Sequence, residues 1–214
     1  MENEGAIDKR VGNFSKTTDI VQTIIIFLIA LLVPTFLGEI LTLTFGAESV
    51  IATKSQLIIG SIVNTTLVIS ALNLKGKVKI AGVVTMPSIA TIFGGYVFGT
   101  TATVYMVCMM PAIWLGNFAL VYSYKYIFLK KEKNFFLAGV IGIIVKVAII
   151  FGYFLLLKFF GLFPETLVST LQTNMSLIQA ITATIGVILA FCIYKIEMKS
   201  IDKKISSKNK NEFT

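Results

Sequence analysis

Long apolar stretches alternate with short polar connections along almost the whole chain. Six of these stretches match the roughly 17–25 residues that an α-helix needs to cross a bilayer core. Because the connections are short, consecutive helices are expected to run antiparallel. The pattern predicts an all-α, polytopic membrane protein with six transmembrane helices: Ile20–Phe45, Leu57–Leu74, Val78–Phe98, Val104–Phe128, Phe135–Phe160 and Met175–Ile196.

The remaining residues are predicted to be two short polar tails without a soluble domain. Residues 1–19 are predicted to be an N-terminal tail, and residues 20–196 a single transmembrane domain. Residues 197–214 are rich in Lys, Ser and Asn, which predicts a basic, disordered C-terminal tail.

The positive charges predict the orientation of the helices. Lys and Arg are enriched in cytoplasmic loops of membrane proteins, and here most of the 19 basic residues fall on one side of the predicted bundle. Only Lys54 and Lys158 lie on the other side. Both termini are therefore predicted to be cytoplasmic. The clustered basic residues are Lys9, Arg10, Lys16, Lys75, Lys77, Lys79, Lys125, Lys130, Lys131, Lys133, Lys195, Lys199, Lys203, Lys204, Lys208 and Lys210.

Composition excludes a water-soluble enzyme and a disordered chain. Hydrophobic residues make up 56% of the 214 residues and charged residues 14%, with a mean hydropathy of +0.85. So much apolar surface cannot be buried inside a soluble body of 23.5 kDa. Cys108 and Cys192 lie in apolar runs and are predicted to be small core side chains. The net charge of +8 suits anionic lipid headgroups, and nothing indicates a nucleic-acid partner.

Polar residues inside the predicted spans are the main candidates for function, because a charge at the bilayer centre costs at least ~2.5–3.5 kcal/mol. Lys146 is the one clearly embedded base, about 21 Å from the outer end of the fifth span by helix rise. Asn117 and Asn64 lie at a similar depth in the fourth and second spans. Glu39 and Gln179 are nearer the outer side.

The spacing of these residues predicts polar stripes on several helices. Thr35, Glu39 and Thr42 share one face of the first span, and Trp114 and Asn117 are three residues apart on the fourth. Lys146 and Tyr153 share a face of the fifth span. Such stripes, converging toward the outer half, favour an outward-facing cavity. The alternative is that the Asn and Gln side chains only link neighbouring helices, and that the stripe Ser176, Gln179, Ala183, Gly186 and Ala190 only packs.

The chain offers little for catalysis. It contains no His, no pair of facing acids inside the spans, no metal-binding cluster and no GxxxxGK[ST] motif. We therefore expect neither an enzyme nor a protein with a cofactor of its own.

Three stretches resemble conserved helices of the substrate-binding S components of energy-coupling-factor (ECF) transporters. QLIIGSIVNTTLVISA is similar to their second helix, MPAIWLGNFALVY to their fourth and MSLIQAITATIGVILA to their sixth. The stretch GIIVK that ends at Lys146 resembles an uncharacterised branch whose members are sometimes labelled as hydrogenase-associated. The resemblance extends over about residues 20–196.

This resemblance implies a function. An S component captures a vitamin or other micronutrient outside the cell and docks on a membrane scaffold subunit driven by two cytoplasmic ATPases. In that family the ligand lies at the outer halves of helices four to six and in outer loops, and the resemblance implies that residues 164–174 here form a lid loop. The matching positions here, together with the embedded polar residues, give the candidate substrate-binding set Lys146, Asn117, Trp114, Gln179, Tyr153, Asn64, Glu39 and Asn174. Many family members dock through an Ala-x-x-x-Ala pair on helix one, where this chain has only Ala30.

Two functions therefore stay open. The first is the substrate-binding subunit of an ECF-type importer in the plasma membrane, taking a small polar organic molecule whose identity the sequence does not give. The second is a non-transport membrane anchor or accessory subunit of a redox complex of the hydrogenase type, in which the polar stripes only join helices.

Overall fold

A computed structural model describes residues 16–46, 54–94 and 100–211, and every described element is helical. We number the α-helices in chain order. They are α1 Lys16–Phe45, α2 Ser55–Asn73, α3 Lys77–Gly94, α4 Thr100–Ser123, α5 Phe135–Phe159, α6 Glu165–Met175 and α7 Leu177–Asn211, with a π-helical segment, Tyr124–Lys130, continuing α4.

The protein is a multi-pass membrane protein by the length and hydropathy of its helices. Five of the described stretches are long and apolar enough to cross a bilayer: Thr18–Phe45, Ser55–Asn73, Tyr105–Lys130, Phe135–Phe159 and Glu165–Ser200. The third predicted span corresponds to α3, whose 18 residues end at Gly94. Residues 95–98 of that span lie outside the described residues, and the total of six spans stays a prediction.

The helix α2 forms the centre of the bundle. It contacts α1, α3, α4 and α7, and its most extensive partner is α7; α4 in turn packs mainly on α5, and α1 on α3. The share of buried residues is 61% in the α2 span but 17% in the α1 span. Polar residues of α2 therefore face protein, whereas α1 presents large apolar side chains to lipid.

Small residues allow α2 and α7 to approach closely. A Cβ atom on Gly186 would lie 2.5 Å from Cβ of Asn64 and 2.9 Å from the backbone nitrogen of Thr65. Ala183 and Ala190, on the same stripe of α7, are fully buried. This stripe is a packing surface of the kind that small residues commonly form between membrane helices.

Buried hydroxyl groups in the middle of α2 are satisfied within their own helix. Ser61, Thr65 and Thr66 donate to the carbonyl oxygens four residues earlier, at 2.6, 2.8 and 2.9 Å. This local bonding removes the cost of placing hydroxyl groups where water is absent.

Contacts between polar residues gather the lysine-rich segments at one end of the bundle. Lys79 forms an ion pair with Asp19 at 2.5 Å, which joins the starts of α3 and α1. Lys125 donates to the carbonyl oxygen of Leu74 at 2.6 Å, and Asn73 to Glu197 at 3.4 Å. The ends of α2, α4 and the apolar part of α7 therefore meet at the same end, as the distribution of lysines predicts.

Two predicted irregular segments are helical. Residues 164–174 were expected to form a loop, but α6 occupies Glu165–Met175. Pro164 precedes this helix in the extended conformation suited to a helix start, and Glu165 lies in its first turn. The C-terminal tail, expected to be disordered from residue 197, continues α7 as far as Asn211. No Gly or Pro interrupts residues 187–211, so nothing in this segment forces the helix to end.

The two cysteines are exposed rather than part of the core. Cys108 and Cys192 are both free and accessible at the surface of the bundle. A hydrophobic run around a residue identifies a span but does not distinguish its lipid-facing side from its buried side, so the core prediction was wrong.

The close α2–α7 contact predicts a difference between two glycines. Gly186→Ala should lower the free energy of unfolding by about 1–3 kcal/mol, because the added methyl group meets the α2 backbone. Gly152→Ala is the matched control, since a Cβ there meets nothing within 4 Å and the higher helix propensity of Ala should leave stability unchanged or raise it by up to about 1 kcal/mol. Unfolding of the purified protein in mixed micelles titrated with sodium dodecyl sulfate measures both. Equal effects of the two substitutions would contradict the packing described here.

Candidate functional site

A small, partly open cavity lies between the helices, with residues from α1, α2, α3, α4, α5 and α7 in its walls. It has a volume of about 70 Å³. The cavity extends from the layer of Lys146 toward the ends of α2 and α7 that lie away from the lysine-rich segments. Its lining residues are Pro34, Gln56, Ile59, Gly60, Val63, Asn64, Pro87, Ser88, Thr91, Ile113, Asn117, Lys146, Gln179 and Thr182.

The side chain of Lys146 is buried at the wall of this cavity, with 2% of its surface exposed. Its ammonium group donates a hydrogen bond of 2.6 Å to Oδ1 of Asn64. Among the described residues no Asp or Glu lines the cavity. The Lys146 nitrogen is therefore met by an amide oxygen and not by a carboxylate.

The orientation of Asn64 is fixed by the groups that accept from its amide nitrogen. Nδ2 donates to the carbonyl oxygen of Gly60 at 2.8 Å and lies 3.3 Å from Oγ1 of Thr182. With both amide hydrogens directed to these acceptors, Oδ1 faces Lys146. The residues of α2 and α7 thus present an acceptor to the charge on α5.

Asn117 is a buried residue of the same lining and links α4 to α3. Its Nδ2 donates to the carbonyl oxygen of Val84 at 3.2 Å. Pro87, also in the wall, has no backbone N–H, so the helical bond to the carbonyl four residues earlier is missing in this part of α3. The carbonyl that loses this partner is that of Val83, and Asn117 bonds the next one, that of Val84, so it joins α4 to α3 beside the proline.

The structure brings together four of the eight predicted residues: Lys146, Asn64, Asn117 and Gln179 all line the cavity. The other four lie elsewhere. Tyr153 packs in a separate apolar cluster with Met106 and Phe154, and Trp114 packs against the main core. Glu39 and Asn174 are half-buried residues of α1 and α6 outside the lining.

Trp114 leaves one polar group unsatisfied. Its indole nitrogen is buried and has no hydrogen-bond partner among the described residues. The ring itself is packed against apolar side chains, so its position resembles that of a core residue more than that of a ligand-stacking residue.

Three hydroxyl groups and one amide of the lining were not among the predicted site residues. Ser88 and Thr91 follow Pro87 on α3, while Gln56 and Thr182 extend the stripes that contain Asn64 and Gln179. The spacing of Gln179, Thr182 and Gly186 on one helical face was the signal that could have identified Thr182. Ser88 and Thr91 carry a weaker signal, since hydroxyl groups in membrane helices commonly bond their own backbone, as Thr91 does to Ser88 at 2.7 Å.

The arrangement can bind a compact anion or polar group. A lysine ammonium has three donors, and the one hydrogen bond of Lys146 in the described part of the chain leaves two. The cavity next to it offers amide and hydroxyl groups as further partners. Its volume suits a few water molecules or a compact ion, below the roughly 300–1,000 Å³ of pockets that hold drug-sized ligands.

Comparison with known proteins gives no relative from which a function could be transferred: no family model, no curated protein and no solved structure matches this chain.

The pairing of Lys146 with Asn64 predicts strong coupling between their substitutions. Asn64→Leu should lower the free energy of unfolding by about 3 kcal/mol, because it leaves a buried charge without its acceptor. In a Lys146→Met background the same substitution should cost about 1 kcal/mol or less, since no charge remains to be solvated. Unfolding in mixed micelles measures all four proteins of this cycle.

Asn117→Leu is the control for that cycle. It removes a buried amide that bonds a neutral carbonyl, so we expect a loss of about 1 kcal/mol in both backgrounds. An equal cost of Asn64→Leu with and without Lys146 would show that the pair is not coupled.

Proposed function

We propose that this protein is a substrate-binding membrane subunit that captures a small anionic or polar molecule from the outer side of the plasma membrane. The observation that carries this proposal is the buried Lys146 ammonium at the wall of an internal cavity, with Asn64 as its hydrogen-bond partner. A charge in this place is costly, and an anion in the cavity would offset the cost with a direct charge–charge contact.

The lining supports orientation of such a ligand as well as attraction. Gln179, Gln56 and Ser88 add amide and hydroxyl groups around the same space, and Ile113 and Val63 supply apolar walls. A few directed polar groups within an apolar surround are typical of small-molecule sites.

The volume of the cavity sets a condition on the size of the ligand. At about 70 Å³ it suits a group such as a carboxylate, and a vitamin-sized molecule requires the helices that surround it to move apart. The wall contains Pro34 and Pro87 within α1 and α3. Because proline interrupts helical hydrogen bonding, these helices are the natural places for the wall to open.

An S component of an ECF importer is the specific form of this proposal. The likeness of three helices to that family supports it, and so does the lack of a nucleotide-binding motif of its own. A scaffold subunit and two cytoplasmic ATPases would then supply the energy. Ala30 is 1% exposed and packs inside the bundle, so the scaffold would contact larger side chains of α1.

A membrane anchor or accessory subunit of a redox complex is the second candidate. It is favoured by the way Asn64 and Asn117 both bond to neighbouring helices within the protein, as residues that only join helices do. Affinity purification in a mild detergent distinguishes the two functions, since the first predicts co-purified scaffold and ATPase subunits and the second a redox enzyme.

The role of Lys146 is tested by the small molecules that the protein retains. Gently purified protein, extracted with organic solvent and analysed by mass spectrometry, should contain a compound carrying an acidic group at a molar ratio approaching one. Lys146→Gln should reduce its recovery at least about tenfold, because a charge-assisted contact worth about 1.5–3 kcal/mol is lost.

Lys158→Gln is the matched control, since Lys158 belongs to the same helix but is exposed at its end. It should leave recovery unchanged. Equal recovery from wild type and Lys146→Gln would remove the proposed role of the ammonium group.

A further inference from the structure

A second cavity lies on the outside of the bundle, between α4 with its π-helical continuation and α5. It is a groove of about 180 Å³ that we call the α4–α5 groove. Ser123, Gly142 and Ala119 are among its lining residues, and a Cβ on Gly142 would overlap Oγ of Ser123. The groove therefore exists because side chains at its base are small, and no polar ligand residue of the internal cavity belongs to it.

A ladder of exposed aromatic rings leads along α4 to one wall of the groove, which Tyr122 and Tyr126 line. The rings of Phe118 and Tyr122 are stacked with centroids 6.3 Å apart, and those of Tyr122 and Tyr126 with centroids 5.8 Å apart. All three residues are exposed, Tyr122 to 54%. Tyrosines are enriched where membrane helices pass from hydrocarbon to the headgroup region, which is the position of this ladder near the end of the Tyr105–Lys130 span.

Positive charges lie at the end of this ladder. The ammonium groups of Lys130 and Lys131 are each 5.6 Å from the centroid of the Tyr126 ring. Lys133 follows in the same exposed connection, in which Glu132 is the one acidic residue. An apolar groove thus ends at a net positive cluster on the lysine-rich side of the bundle.

We propose that the α4–α5 groove binds one anionic phospholipid of the leaflet on the lysine-rich side. An acyl chain lies along the groove between Tyr122 and the α5 side chains Ile141 and Val145. Its phosphate group contacts Lys130 and Lys131. Basic sites between membrane helices on the cytoplasmic side bind anionic headgroups in this way. The groove that holds the acyl chain determines where along α4 and α5 the lipid lies.

The same charges disfavour a second copy of this chain as the occupant. Two copies that met through this groove would place Lys130, Lys131 and Lys133 of each copy close to those of the other, and like charges at an interface are repulsive. An anionic lipid neutralises the cluster instead.

The test is native mass spectrometry of the full-length protein in detergent, titrated with phosphatidylglycerol or with phosphatidylcholine of the same acyl chains. We expect one phosphatidylglycerol molecule to bind at least about fivefold more tightly than phosphatidylcholine. In K130Q/K131Q the affinity for phosphatidylglycerol should fall about tenfold or more, while the affinity for phosphatidylcholine should change little.

Two further variants distinguish lipid binding in the groove from general attraction of anionic lipid to surface lysines. Lys195→Gln is the matched charge control, because Lys195 also lies over an aromatic ring, 5.5 Å from that of Phe191, but on α7; it should retain the preference. Ala119→Phe fills the groove and should weaken binding of both lipids, and Val145→Phe at its rim tests the same point should the first variant unfold.

The proposal is overturned by any of four results. Three concern lipid binding: no preference of the wild-type protein for phosphatidylglycerol, an equal loss in Lys195→Gln and K130Q/K131Q, and unchanged binding in a folded groove-filling variant. The fourth is a dimer that dissociates when the groove is filled, which would assign the groove to a second copy.

Discussion

The burial of one ammonium group inside an apolar bundle is the constraint on which the rest of the structure depends. Lys146 reaches the interior from α5 and finds there the amide oxygen of Asn64. The amide oxygen faces Lys146 because Gly60 and Thr182 accept hydrogen bonds from the amide nitrogen and so fix the orientation of the side chain. Thr182 is close enough because Gly60 has no Cβ where the two residues meet, and Gly186, one turn further along α7, also lets α7 pack directly on α2. The small-residue contact and the polar layer are therefore two parts of one arrangement.

Much of the helical framework could be predicted from hydropathy alone. The ends of α2 and α5, at Asn73 and Phe159, fall within one residue of the predicted ends, because an apolar run between polar residues has few other conformations available in a membrane. The helix at 165–175 is too short and too polar for hydropathy to find, but its sequence does carry helical signals. Leu167, Leu171 and Met175 recur at helical spacing after Pro164, and this face packs in the apolar cluster of α4 and α5. The exposed cysteines show a related limit, since hydropathy does not reveal which face of a span meets lipid.

The sequence predicted how deep the candidate site residues lie in their spans, but only in part the direction in which their side chains point. Helix rise placed Lys146, Asn117 and Asn64 in one layer, and the structure gathers all three around the cavity. Tyr153 and Trp114 share helices with members of that layer, but each rotates into an apolar cluster. Helical spacing relates residues within one helix, whereas the rotation of each helix about its axis is set by packing with its neighbours.

A crystal structure of the protein grown in bromide and measured at the bromine absorption edge tests most directly whether the cavity receives an anion. We expect an anomalous peak inside the cavity next to Nζ of Lys146, and the loss of that peak in a Lys146→Met crystal grown in the same way. A cavity without an anomalous peak and filled by side chains would contradict the assignment, as would an ammonium group of Lys146 that forms an ion pair with a carboxylate of the protein.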